Sequence, residues 1–109
     1  MIRIGLFALL LVIPATLSAQ TPAERGQKVY AAQKCSICHS VAGVGNKRGA
    51  LDEVGSKLSA DETRQWIVDA PGMAAKAKAE RKPPMKAYAT LPKEDLDALV
   101  AYMQSLKKK

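Results

Sequence analysis

The sequence predicts an all-α fold of four to five helices. Apolar residues recur at spacings of three and four in several tracts, and capping and breaking residues separate those tracts at helix-like lengths. No tract alternates Val, Ile, Thr and aromatic residues, so no sheet is expected.

The first 19 residues stand apart from the fold. Met1-Ile2-Arg3 is a short basic start, Ile4 to Ile13 is apolar apart from Gly5, Pro14 breaks the run, and Ala15-Thr16-Leu17-Ser18-Ala19 follows. This is the layout of a secretory signal cut after Ala19, with Leu17 larger than the small residue usual at its place. An uncleaved anchor is the competing reading, and the short apolar stretch ending in proline disfavours it. Residues 20–109 then form one domain of 109 − 19 = 90 residues, exported to the periplasm.

The first helix is expected from Pro22 to about Lys34, with Gly26, Val29, Tyr30 and Gln33 at helical spacing and Gly26 marking a close crossing. Ser40 to Ala50 carries three glycines and Asn46, a loop composition, and Leu51 to Leu58 has room for one short helix. Ser59-Ala60-Asp61-Glu62 fits a capping box, in which a hydroxyl and a glutamate three residues later satisfy each other's backbone donors. It opens a helix through about Ala70, which Pro71-Gly72 is expected to stop. Met73 to Lys82, rich in Ala and Lys, reads as a loose helical turn or a loop, ended by Pro83-Pro84. Pro92 suits the first turn of a last helix, with Glu94, Asp95 and Asp97 near its start and Lys107 to Lys109 at its end, both favourable for the helix dipole. Leu96, Leu99, Val100, Met103 and Leu106 form its apolar stripe.

Composition narrows the class further. Seventeen Lys and Arg against ten Asp and Glu give +7, and 48% of the residues are apolar, which excludes a wholly disordered chain. No apolar run reaches twenty residues, so a long membrane span is not expected. Beyond Ala19 the large aromatics are Trp66, Tyr30, Tyr88 and Tyr102 alone. A domain of this size buries only about 60–65% of its unfolded surface. Something besides side chains is therefore expected to fill the core.

Cys35-Ser36-Ile37-Cys38-His39 is the informative motif. C-x-x-C-H is the attachment pattern of a c-type haem: two thiols form thioethers with the two vinyl groups, and the adjacent imidazole meets the iron. Such attachment takes place outside the cytoplasm, in agreement with the leader. A thioredoxin-like dithiol needs a βαβ context that is missing. A closed zinc site needs four ligands, and the chain has two cysteines and one histidine. A Cys35–Cys38 disulfide would close a very small loop and constrain little. One motif implies one haem, and a single histidine means that the second axial ligand is not a histidine of this chain. Met73, Met85, Met103, a lysine, or no ligand remain. Met103 is better read as core, and Pro83-Pro84 stiffens the chain ahead of Met85.

The chain resembles the class I c-type cytochromes, the small bacterial monohaem kind. The resemblance runs from about Gly26 to Leu106. It rests on Gly26-x-x-x-Tyr30, Cys35 to His39, Gly43-x-Gly45-Asn46, Trp66-Ile67, Pro83-Pro84-Met85 and Leu99-Val100-Ala101-Tyr102, in family order. It implies a compact fold wrapped around one covalent haem c, with the first and last helices crossing where Gly26 and Tyr30 meet Leu99 and Tyr102. It implies His39 as proximal and Met85 as distal iron ligand, with Trp66 and Ile67 against the haem pocket. Where the family usually has Gly-Pro-x-Leu, this chain has Gly49-Ala50-Leu51, and the Ala50 carbonyl is expected to take the hydrogen bond of the proximal imidazole.

A His/Met pair fills both axial positions and raises the reduction potential, which implies one-electron transfer and not an enzyme with its own substrate. Lys76, Lys78, Arg81, Lys82 and Lys86 flank the Met85 segment and Lys47 and Arg48 follow the haem motif, a charge pattern that would steer acidic redox proteins or membrane respiratory complexes to the haem edge. Two other readings accompany this one: a haem subunit of a larger periplasmic dehydrogenase or oxidase, and a five-coordinate gas-binding or peroxide-reducing protein. Nucleic acid is not an expected partner of an exported chain.

Overall fold

A computed structural model describes Gly5, Leu11 and residues 20–109. The leader and its cleavage point otherwise lie outside the described residues.

Helix α1 spans Pro22–Ala32, opened by the Thr21 side chain accepting from the Glu24 N–H and by a proline in its first turn. Lys34, in the left-handed region at φ 57°, turns the chain out of it. A single 3-10 turn follows at Cys35–Ile37. Next comes a small antiparallel hairpin, β1 (Ser40–Val41) and β2 (Val44–Gly45), and a second 3-10 turn at Lys47–Gly49. The hairpin corrects the expectation of no sheet. Its two-residue strands are too short to show periodicity, and the positive φ of Ala42 (51°) and Gly43 (78°) supplies the tight turn that twisted strands need.

Four more helices complete the chain: α2 (Val54–Lys57), α3 (Ala60–Val68), α4 (Ala70–Ala77) and α5 (Lys93–Ser105). The Ser59–Glu62 capping box forms in both directions, at 3.1 Å each way. Pro71-Gly72 does not end the helical region. Asp69 accepts from the Gly72 N–H, and Pro71 sits in the first turn of α4, where a missing N–H costs nothing. Of the two readings for Met73 onward, the helical one holds through Ala77. Pro92 is the residue before α5 and not inside it, and α5 ends at Ser105, ahead of the three terminal lysines.

Helix α5 is the hub. Val29, Tyr30, Ile67, Leu99, Val100, Tyr102 and Met103 form the buried core, with Leu96 and Leu106 partly covered beside it. Helix α1 crosses α5 at Gly26, whose missing side chain admits the Ala98 carbonyl and Tyr102 Cβ. Tyr30 and Tyr102 meet edge to face, with centroids 5.7 Å apart. On the other side, Gln104 donates to the Leu58 carbonyl at 3.0 Å and to Thr63 Oγ1 at 3.2 Å, fixing α3. The Gly55 N–H donates to the Leu106 carbonyl at 2.8 Å, fixing α2. Exposed ion pairs from Arg25 to Glu94 and Asp95 decorate the crossing and contribute little beside the packing. Among the described residues no helix is long and apolar enough to cross a membrane.

Candidate functional site

The Cys35–His39 segment is one compact turn leaving α1. The Cys38 and His39 N–H groups both donate to the Cys35 carbonyl, at 3.1 and 2.9 Å. This coils the five residues so that both cysteines and the histidine belong to one local unit. Both thiols are free and half-buried. Burial pushes the Cys35 thiol up, the neighbouring Cys38 adds to the rise, and Lys86 opposes it.

The loop after the motif is stitched to it. The Asn46 N–H donates to the carbonyls of His39 (2.9 Å) and Ser36 (3.0 Å), and its side-chain amide reaches the Ile37 carbonyl at 3.2 Å. Ser40 is 2% exposed, and its carbonyl accepts from the Leu51 N–H at 2.8 Å. This fastening presents Gly49 to the imidazole: His39 Nδ1 lies 2.9 Å from the Gly49 carbonyl oxygen. A carbonyl only accepts, so Nδ1 carries the proton and Nε2 keeps its lone pair for a metal. The acceptor is Gly49, not Ala50 as the sequence predicts. Ala50 is extended (φ −59°, ψ 131°) and sits in a bridge with Ser40, so the carbonyl that comes before it faces the ring. Burial lowers the His39 pKa; the Gly49 carbonyl opposes this and the charge of Arg81 adds to it.

The segment before α5 adds further contacts. The Tyr88 N–H donates to the Ile67 carbonyl at 2.8 Å, which pins the Met85 segment to α3. Burial raises the Tyr88 hydroxyl pKa, and Cys35 and then Cys38 add to the rise. Lys86 Nζ lies 4.9 Å from the centre of the Tyr88 ring. Met85 is half-buried three residues away, and Met73 is half-buried on α4. Ile67 belongs to the core. Trp66 is half-buried and outside the buried cluster, so the structure places the two differently. Met103 is 5% exposed within the core, as its place on the stripe predicts. Tyr88, Gly49 and Arg81 have roles that the motifs alone do not single out. Their contacts link segments far apart in sequence, and only the fold brings them together.

These residues fit a covalently attached haem. The donor set is two free thiols and an imidazole with one uncommitted nitrogen, in a single turn. Cys35, Val41, Leu51, Val54, Tyr88 and Leu91 pack against the core yet remain partly uncovered, an apolar lining suited to a flat macrocycle. Tyr30 Oη is buried without a hydrogen-bond partner, and burial, with Cys35 as the next cause, pushes its pKa up to about 12. A buried donor left open beside Cys35 is what a group lodged there would explain.

Fold and site together define a small helical protein built to hold one haem. The family model for Cytochrome c matches residues 23–107, and the chain belongs to that family. Its cofactor is accordingly one covalently attached haem c. A curated relative, the cytochrome c oxidase subunit 2 of Alkalihalophilus pseudofirmus, is 31% identical over 97 residues. That match takes in 81% of this chain, and the chain spans 27% of the relative's length. No solved structure gives a significant match.

Proposed function

We propose that the chain is an exported one-electron carrier of the periplasm, freed of residues 1–19, whose haem is attached through Cys35 and Cys38 and ligated by His39 and Met85. The observation that carries this is the His39 imidazole, oriented by the Gly49 carbonyl with Nε2 left free. When bound, the haem supplies reversible oxidation and reduction of its iron by one electron. The protein's own residues do the rest. Gly49 fixes the ring plane and tautomer of His39. The Pro83-Pro84 pair and the Tyr88 anchor hold the Met85 segment opposite. Half-buried apolar residues keep bulk water from the site, which, with methionine sulfur, favours the reduced form. With His39 and Met85 both committed to the iron, no position would remain there for a substrate, which supports a carrier over an enzyme. Lys47, Arg48, Lys76, Lys78, Lys82 and Lys86 are exposed around the site. They steer an acidic partner or respiratory complex toward it, with a rate that falls as salt screens them.

The oxidised, haem-loaded protein should show the weak long-wavelength band of methionine sulfur on ferric iron. Met85→Ala should abolish that band and lower the potential, and Met73→Ala should do neither. A band lost in Met73→Ala and kept in Met85→Ala would overturn the ligand assignment. A second reading, a haem module of a larger oxidase assembly, is favoured by the oxidase subunit relative. Fractionation of native cells separates the two: a carrier is recovered alone in the periplasmic fraction, a module together with its subunits.

A further inference from the structure

We propose that Arg81 is a positioning residue for the haem iron, tying the segment that carries Met85 to the backbone that carries Cys38 and His39 and setting the reduction potential. Arg81 stands four residues before Met85, yet its Nη2 donates to the carbonyl of Cys38, 43 positions away in sequence. No backbone N–H among the described residues reaches that carbonyl, so the guanidinium is its partner. The other terminal nitrogen, Nη1, lies against Gly49, where a Cβ would collide with both Arg81 and the Cys38 carbonyl. The Gly49 carbonyl in turn takes the Nδ1 proton of His39. A continuous path therefore runs from the Met85 segment through one guanidinium to the proximal imidazole.

Arg81 differs in this from the basic residues around it. It shares its cleft with Arg48, Glu80 and Lys82, and none of these three bonds to the Cys38 carbonyl. A planar fork spans the Cys38 carbonyl and the Gly49 face together, which a point ammonium does not. The fixed positive charge sits beside a centre that gains one positive charge on oxidation, so it favours the reduced state.

The inference rests on the proposed roles of Cys35, Cys38 and His39. Failure of those roles would appear as a wild-type protein without covalent haem, and failure of this inference as an unchanged potential in a loaded variant. The test is a spectroelectrochemical titration of the haem-loaded wild type, Arg81→Gln, Arg81→Lys and a remote charge control, Lys28→Gln. Arg81→Gln should shift the one-electron equilibrium toward the ferric form by about tenfold, which is about 59 mV. Lys28→Gln should leave it in place. Arg81→Lys should keep most of the potential and move the paramagnetically shifted resonances of the His39 ring. A wild-type potential in Arg81→Gln, or an equal shift in Lys28→Gln, overturns the proposal. If Arg81→Gln takes up no haem, Arg81→Lys decides, and unmoved His39 resonances there overturn it.

Discussion

Gly26→Ala is expected to destabilise the protein although alanine is the better helix former. A methyl carbon at position 26 would lie 2.6 Å from both the Ala98 carbonyl carbon and Tyr102 Cβ, and nearer still to the Ala98 carbonyl oxygen. Carbon atoms pack best at about 3.5–4.0 Å, so the helices would have to part by about 1 Å. The obstruction is backbone of α5 and not the tip of a side chain, so no rotamer change relieves it. Overpacking costs roughly 1–3 kcal/mol, and the rigid obstruction puts this site at the upper end. The gain from replacing a helical glycine is about 1 kcal/mol, so the net loss is about 2 kcal/mol. In a domain of this size that lowers the thermal midpoint by about 8–16 °C. Thermal unfolding of the haem-loaded protein followed by far-ultraviolet circular dichroism measures it, with the exposed neighbour Gln27→Ala as control. A Gly26→Ala midpoint at or above wild type would refute the close-crossing account.

Ser59→Ala removes the hydroxyl half of the capping box at the start of α3 and should cost about 1 kcal/mol, read as a shift in the denaturation midpoint with little change in slope. Asp97 is held below the usual carboxylate range by hydrogen bonds from Arg64 and then Lys93. Its contribution is therefore present at neutral pH and is lost as pH falls through and below that range, and Asp97→Asn should flatten this part of the acid-unfolding profile.

Much of the helical frame was legible because its signals are local. The capping box at Ser59, the proline at the start of α1 and the stripe of α5 each lie within about three turns of chain. Pro71-Gly72 does follow the end of α3, but the same pair also begins α4, and only Asp69 bonding back to the Gly72 N–H reveals that second role. The hairpin after His39 was invisible to periodicity, since two residues have no period. The haem motif was legible for the same reason as the caps: its five residues are contiguous. Beyond the motif, the site depends on tertiary placement. Replacing proline by Ala50 drew attention to that residue's carbonyl, whereas the backbone presents the preceding one. Arg81 is one cation among many in a basic stretch, and nothing short of the folded chain distinguishes it from Lys82.

The clasp of α1 on α5 has an architectural consequence. Every residue proposed to attach the haem or ligate its iron lies on the single long excursion between Gln33 and Pro92, while the clasp uses none of these four. Closing such an excursion grows costlier only with the logarithm of its length, about 0.6 kcal/mol for each doubling. Lengthening or shortening the stretch from Ala79 to Ala87 therefore taxes the frame lightly, and the redox properties can diverge while the scaffold stays the same.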